Sequence, residues 1–205
     1  MWTYIKNKQI KTVVFDLNGT LTGSVSDHPE HIRYRNTYIE ANSKVKHTQF
    51  LPEGTTMALK ACGLSPLKYY IERNSEIDWK VFHHYNEGIY NCLTMLREAG
   101  YNLVLYTDCH GVQVKKTLEI LRLSDMFDLS ITEEFNMKKP SSKAFSHIAK
   151  KFNCSAAEIL MVGNDYLMDL LPLILIGGNG IQVDSENELT TVTELIRTNF
   201  GRIAS

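Results

Sequence analysis

Apolar and polar positions along the chain fall into two alternating rhythms. Short aliphatic and β-branched runs at 12–15 (Thr-Val-Val-Phe), 102–106 (Asn-Leu-Val-Leu-Tyr) and 158–162 (Glu-Ile-Leu-Met-Val) predict buried strands. Leu129-Ser130-Ile131 and Gly180-Ile181-Gln182-Val183 are weaker strand candidates. Between them apolar residues recur at helical spacing. Ile89, Cys92, Leu93, Leu96 and Ala99 run up to a stop at Gly100. Val114, Leu118 and Leu121 form a second stripe, and Ala144, Phe145, Ile148, Ala149 and Phe152 a third, with Ser141 placed to cap it. Strands alternating with helices predict βαβ units, hence an α/β fold with a Rossmann-like parallel sheet and helices on both faces.

From about Gly23 to Tyr85 the alternation lapses. This stretch is polar, rich in Tyr, His, Asn and Lys, and helical in its patterning, with Pro29, Pro52, Gly63 and Pro66 dividing it into short helices. It is expected to be a small all-helical cap, residues 23–85, inserted after the first strand and seated over the carboxyl end of the sheet. The core domain is then formed by residues 1–22 and 86–205. The apolar run from Leu170 to Ile176 contains Pro172, is too short to span a bilayer, and is expected in the core.

Composition narrows the function without naming it. Of 205 residues, 43% are hydrophobic and 22% charged, with 22 Lys and Arg against 23 Asp and Glu. The formal charge of -1 carries no basic excess, so neither nucleic acid nor a membrane surface is an expected partner. A small phosphorylated metabolite remains compatible, because a pocket can be positive while the whole is neutral. Cys62, Cys92, Cys109 and Cys154 are widely spaced and form no C-x-x-C pair. They are expected as reduced thiols in a cytoplasmic protein rather than a disulfide framework or zinc knuckle. The segment Met1 to Lys6 has no apolar signal region.

Function in an open parallel sheet collects at the carboxyl ends of its strands, and here those ends are polar. The first expected strand leads into Asp16-Leu17-Asn18-Gly19-Thr20-Leu21-Thr22, the second into Thr107-Asp108, and the third into Gly163-Asn164-Asp165, with Asp169 following. Lys139-Pro140 lies between the last two. A carboxylate can attack a phosphoryl group and form an aspartyl phosphate. Because two anions repel, a hard cation with oxygen ligands has to bridge them, which suits Mg²⁺. A hydroxyl and an ammonium can stabilise charge on the transferring oxygens, and Gly19 lets backbone amides turn toward a phosphate.

In this order, D-x-N-G-T-L-T, strand-T-D, K-K-P and L-M-V-G-N-D-x-x-x-D, the segments resemble the four motifs of the haloacid dehalogenase (HAD) superfamily. The connecting phrases Tyr85-Asn86-Glu87-Gly88-Ile89 and Leu123-Ser124-Asp125-Met126-Phe127-Asp128 resemble that family as well. The resemblance runs from about Lys11 to Thr193 and places a helical cap between the first two motifs. It implies a hydrolase, and within the family a Mg²⁺-dependent phosphatase working through an aspartyl phosphate. Asp16 is implied as nucleophile and metal ligand, with Asn18, Asn164 and Asp165 completing the metal site. Thr107 and Lys139 are implied in catalysis and, with Gly19 and Asp108, in phosphate binding. Asp169 falls on the acidic fourth motif.

Two positions depart from the family pattern. Phosphatases of the family carry a second aspartate where this chain has Asn18, serving as acid for the leaving group and base for water. General acid-base help is worth ~10²–10⁴ in rate, so weakened turnover is expected. Asn164 stands where the fourth motif usually begins with aspartate. Two alternatives follow: a catalytically degenerate binding or regulatory protein, and a metal-independent dehalogenase with Arg33 or Arg35 holding a substrate carboxylate. Cys109 has no base placed beside it by sequence, while His83, His84, Tyr34, Tyr38, Tyr69 and Tyr70 are read as packing.

Overall fold

The computed structural model of the chain describes residues 1–6, 9–23, 28–45, 48, 51, 54–73 and 76–200. Six strands form one sheet: β1 (Trp2–Tyr4), β2 (Thr12–Phe15), β3 (Asn102–Tyr106), β4 (Leu129–Ile131), β5 (Ile159–Gly163) and β6 (Asn179–Gln182). Their order is β1-β6-β5-β2-β3-β4. β2 lies at the centre, with Val13 opposite both Leu103 and Leu160. Five strands are mutually parallel, so their carboxyl ends share one edge.

Alternate residues of the central strands feed two different cores, as a pleated strand requires. Val13 and Phe15 join Leu103, Leu105, Leu160 and Val162 beneath α4 (Glu87–Glu98), α5 (Gly111–Leu121) and α8 (Leu189–Phe200). Val14, Val104 and Met161 face the other way, against Phe145 and Ile148 of α6 (Ser142–Lys151) and Leu173 of the short α7 (Leu171–Ile174). Helices therefore cover both faces, and the strands read as nearly unbroken apolar runs because both sides are buried. Ser141 caps α6 as expected, its hydroxyl accepting from the Lys143 amide at 3.2 Å.

Three expectations need correction. The sheet is mixed: β1 runs antiparallel to β6, with Trp2 opposite Gln182. Three residues on an outer edge, with Trp2 43% exposed, carry too little alternation to be read as a strand. The helical insertion consequently follows the second strand, not the first. The apolar run 170–176 is also divided. Leu170 and Leu173 are buried, but Leu175 is 75% exposed and Ile176 is exposed too, because a turn of helix shows only part of its circumference to the sheet.

The insertion supplies α1 (Pro29–Asn42), α2 (Thr55–Ala61) and α3 (Pro66–Arg73). Pro29 and Pro66 open their helices, where a missing amide costs nothing; Pro52 lies outside the described residues. These helices share a small core of their own, including Tyr38, Ile39, Leu59, Tyr69, Trp79 and Phe82. Val112 and Ile120 of α5 pack against it.

Candidate active site

Asp16 leaves the carboxyl end of β2 with its amide bonded to the Val162 carbonyl of β5 at 3.0 Å. The following turn closes on itself: the amides of Leu21 and Thr22 reach the Leu17 carbonyl at 2.9 and 3.1 Å. Gly19 sits in this turn with φ +84, a conformation that favours glycine, and a Cβ on it would lie 2.7 Å from Asn164 Nδ2. Its position thus brings the first and fourth segments into contact. Thr20 returns toward Asp16, donating from its hydroxyl to Oδ2 at 3.3 Å.

Lys139 joins the separate segments. Its ammonium donates to Asp16 Oδ1 and, at 2.6 Å, to Asp169 Oδ1. It also lies over the Tyr106 ring, 5.2 Å from the centroid. All three charged side chains are buried. The Lys139 amide is held by Asp108 Oδ1 at 3.0 Å, which ties the loop after β3 to the loop before α6. Asp169 also accepts from the Asp165 amide at 3.0 Å. A side chain on Gly163 would collide with Asp169, so the glycine at the end of β5 is what lets that carboxylate reach the lysine.

Burial raises the Asp16 carboxyl to about 6; Lys139 pulls it down and Asp169 adds to the rise. Burial works against the Lys139 ammonium too, yet the two carboxylates hold it above the ordinary lysine range. A lysine shared by two carboxylates stays charged, and it compensates anions that could not otherwise be buried.

Thr107, at the end of β3, is buried and accepts from the Cys109 amide at 3.2 Å. Asn18 donates from Nδ2 to Cys109 Sγ at 3.0 Å, while its buried Oδ1 has no partner among the described residues. Burial pushes the Cys109 thiol up to about 11, which argues against a thiolate nucleophile. Asn164 is exposed at the rim, its amide oxygen facing the Asn18 carbonyl and Asp16 Oδ2. With the amide turned over, its nitrogen donates to both, at 3.1 and 3.3 Å. Asp165 is occupied differently from the rest: its Oδ1 accepts from the amides of Leu167 and Met168 at 2.9 and 3.0 Å, capping the turn Tyr166–Leu170.

One cavity of about 490 Å³ is lined by Asp16, Asn18, Thr107, Asp108, Lys139, Asn164 and Asp165, so the structure brings together every sequence-derived site residue except Gly19, which lies beneath its rim in the first turn. The insertion adds His31, Thr55, Thr56, Met57 and Tyr70 to the wall. Sequence reading missed these. Tyr70 is buried as expected of a packing residue, and it lines the cavity as well; nothing in helical periodicity separates the two roles. Arg33 pairs with Glu30, Arg35 bonds Asn36, and neither lines the cavity.

A mostly parallel sheet with a buried carboxylate–lysine cluster at its carboxyl edge puts the candidate site where open α/β sheets bind their ligands. More narrowly, the chain belongs to the haloacid dehalogenase-like hydrolase family, whose sequence model matches residues 10–177. It is 42% identical over 86 residues to a glyceraldehyde 3-phosphate phosphatase of Pyrococcus abyssi, a match spanning 40% of this chain and 35% of that protein. The chain thus spans about a third of the length of that curated relative. Among solved structures, a haloacid dehalogenase-like hydrolase from Xanthomonas campestris superposes with a TM-score of 0.60 at 19% identity, covering 96% of this chain and 100% of the other. A HAD phosphatase from Thermococcus onnurineus gives a TM-score of 0.60 at 20% identity, covering 89% and 97%. Likeness at that identity speaks for the fold.

Proposed function

We propose that the chain is a Mg²⁺-dependent phosphatase acting on a small phosphorylated metabolite, with Asp16 as nucleophile and residues 23–85 as a cap domain over the core of 1–22 and 86–205. The observation that carries this reading is the buried Asp16 carboxylate, held by Lys139 in a cavity that Thr107 also lines. The phosphatase name of the Pyrococcus relative supports the substrate class.

Asp16 attacks phosphorus, the P–O bond to the alcohol breaks, and an aspartyl phosphate forms; water then hydrolyses it to orthophosphate and regenerates the carboxylate. Lys139 holds Asp16 in place and, with the Thr107 hydroxyl, neutralises charge on the phosphoryl oxygens. Asp108 and the turn at Gly19 set the backbone around the phosphate. The oxygens fit a hard cation: in one amide orientation the Asn164 amide oxygen faces both Asp16 Oδ2 and the Asn18 carbonyl. Asp165 lines the cavity too, and the turn amides take only its Oδ1, so Oδ2 makes it a further ligand candidate. Among the described residues no three His, Cys, Asp or Glu side chains form a metal cluster, so a set this poor in carboxylates predicts weak affinity. Bound there, Mg²⁺ would supply positive charge that eases the approach of a carboxylate to a phosphate.

The test is phosphate release from a panel of phosphate esters with Mg²⁺, with a chelator, and with Asp16→Asn. Turnover that needs Mg²⁺ and vanishes in Asp16→Asn supports the proposal; turnover indifferent to either rejects it. A second reading, a binding protein that has lost turnover, draws on Asn18, whose amide bonds Cys109 where an acid would be needed. Failure to hydrolyse any ester while still binding one would select it. The dehalogenase alternative draws no support from the cavity, where no arginine stands among the described lining residues to hold a substrate carboxylate.

A further inference from the structure

The cavity wall has two chemistries. The sheet side contributes carboxylates and two lysines, whereas among the described lining residues the insertion contributes only neutral groups. Among the described lining residues each lysine already faces a carboxylate: Lys139 touches Asp16 and Asp169, and Lys138 lies 3.6 Å from Glu133 Oε1. Asp16, Asp108, Asp165 and Asp169 all line the same space. A phosphate has the proposed cation, Lys139 and Thr107 to meet it. A second anion on the substrate meets no unpaired cation among the described lining residues.

His31 stands out on the insertion side. It is 3% exposed, with its ring centroid 6.0 Å from that of Trp79 and 5.8 Å from that of Phe82. Its Nδ1 lies 3.4 Å from the Thr55 hydroxyl, while its buried Nε2 has no partner among the described residues. A buried polar atom without a partner is costly to the fold, and one in a cavity wall can be satisfied by a ligand. Burial, helped by the charges of Arg35 and His28, lowers its pKa to about 4, so the ring is neutral near pH 7. In the tautomer whose Nδ1 accepts from the Thr55 hydroxyl, Nε2 carries the proton.

We propose that His31 is a specificity residue that donates from Nε2 to an uncharged hydroxyl or carbonyl oxygen on the part of the substrate remote from the phosphate, so that the site selects small phosphate esters with neutral rather than carboxylate-bearing ends. This rests on the phosphatase reading and names its substrate class. A neutral imidazole is too weak an acid to protonate a leaving alcohol, so His31 positions the substrate and does not replace the acid missing at Asn18.

Glycerol 3-phosphate and 3-phosphoglycerate test this directly, because both release a primary alcohol and differ at the far end. The wild-type chain is expected to prefer glycerol 3-phosphate at least tenfold in kcat/KM. His31→Phe should raise KM for that ester and bring the ratio near one, and His31→Gln, which keeps a donor, should restore part of the preference. Thr55→Val, which removes the Nδ1 partner without touching the ring, should shift the ratio in the same direction and guards against misfolding of His31→Phe, which thermal melting detects. Calorimetric binding of the two esters to the wild-type chain with Mg²⁺ separates the claims. If no ester is hydrolysed but glycerol 3-phosphate binds more tightly, the enzymatic reading fails and the recognition stands. Equal binding of the two esters, or a ratio unchanged in both His31→Phe and Thr55→Val, overturns it.

Discussion

Two side chains decide how much chemistry the site can do. In the proposed reaction Asn18 stands where a proton should reach the leaving oxygen, and an amide cannot supply it near neutral pH. Asn18→Asp is therefore expected to raise phosphate release from alkyl esters by ~10², measured with saturating Mg²⁺; an unchanged rate would show that protonation of the leaving group is not limiting. Lys139 matters for the fold as well as the reaction. Lys139→Met leaves Asp16 and Asp169 buried without their shared cation, which should cost about 3–5 kcal/mol in chemical denaturation. Adding Asp169→Leu removes one of the stranded charges and should recover part of that loss without recovering turnover. A single substitution with wild-type stability would mean that water already reaches the pair.

At the scale of elements, the insertion is held together by neutral histidines and aromatic rings. His31 and His83 are both buried, and burial lowers the pKa of each from 6.5 to about 4. His83 lies 2.8 Å from the Thr22 hydroxyl and stacks at 6.2 Å on Trp79. A depressed folded-state pKa means that the unfolded chain takes up protons first. Stability is then unaffected above about pH 6.5 and falls as pH drops from 6.5 toward 4, by up to about 3 kcal/mol for each histidine. Urea unfolding at pH 7 and pH 4.5 should show this slope, and His83→Gln should flatten it; a slope unaltered by that substitution would place the titration elsewhere.

Across the whole molecule, Glu133 links the insertion to the sheet. It accepts from Lys60 of α2 at 2.7 Å and from Thr56 at 3.5 Å. Because Lys60 is half exposed, the pair is worth ~1 kcal/mol or less. Glu133→Gln should leave the melting temperature nearly unchanged while raising KM about fivefold, and a KM equal to wild type would show that this contact does not hold the cavity closed. Much of this architecture was legible beforehand. Both-sided burial made β2, β3 and β5 continuous apolar runs, helical spacing revealed α4, α5 and α6, and the polar residues at the strand ends marked the site. Prolines and the lapse of alternation marked the insertion. Local patterning could not reveal β1, which exists only because β6 offers it an edge, nor the division of residues 170–176 between core and surface. Nor could it distinguish Asp165, which caps its own turn, from Asp169, which meets Lys139. Tyr70 reads as packing in one dimension and His31 carries no signal there, yet both line the cavity in three. The chain's own order of residues determined which groups could react and which strand ends would carry them, since backbone periodicity and residue chemistry are local properties. Which carboxylate shares the lysine, and which helix walls the cavity, are relations between residues far apart in the chain, and only tertiary packing could decide them.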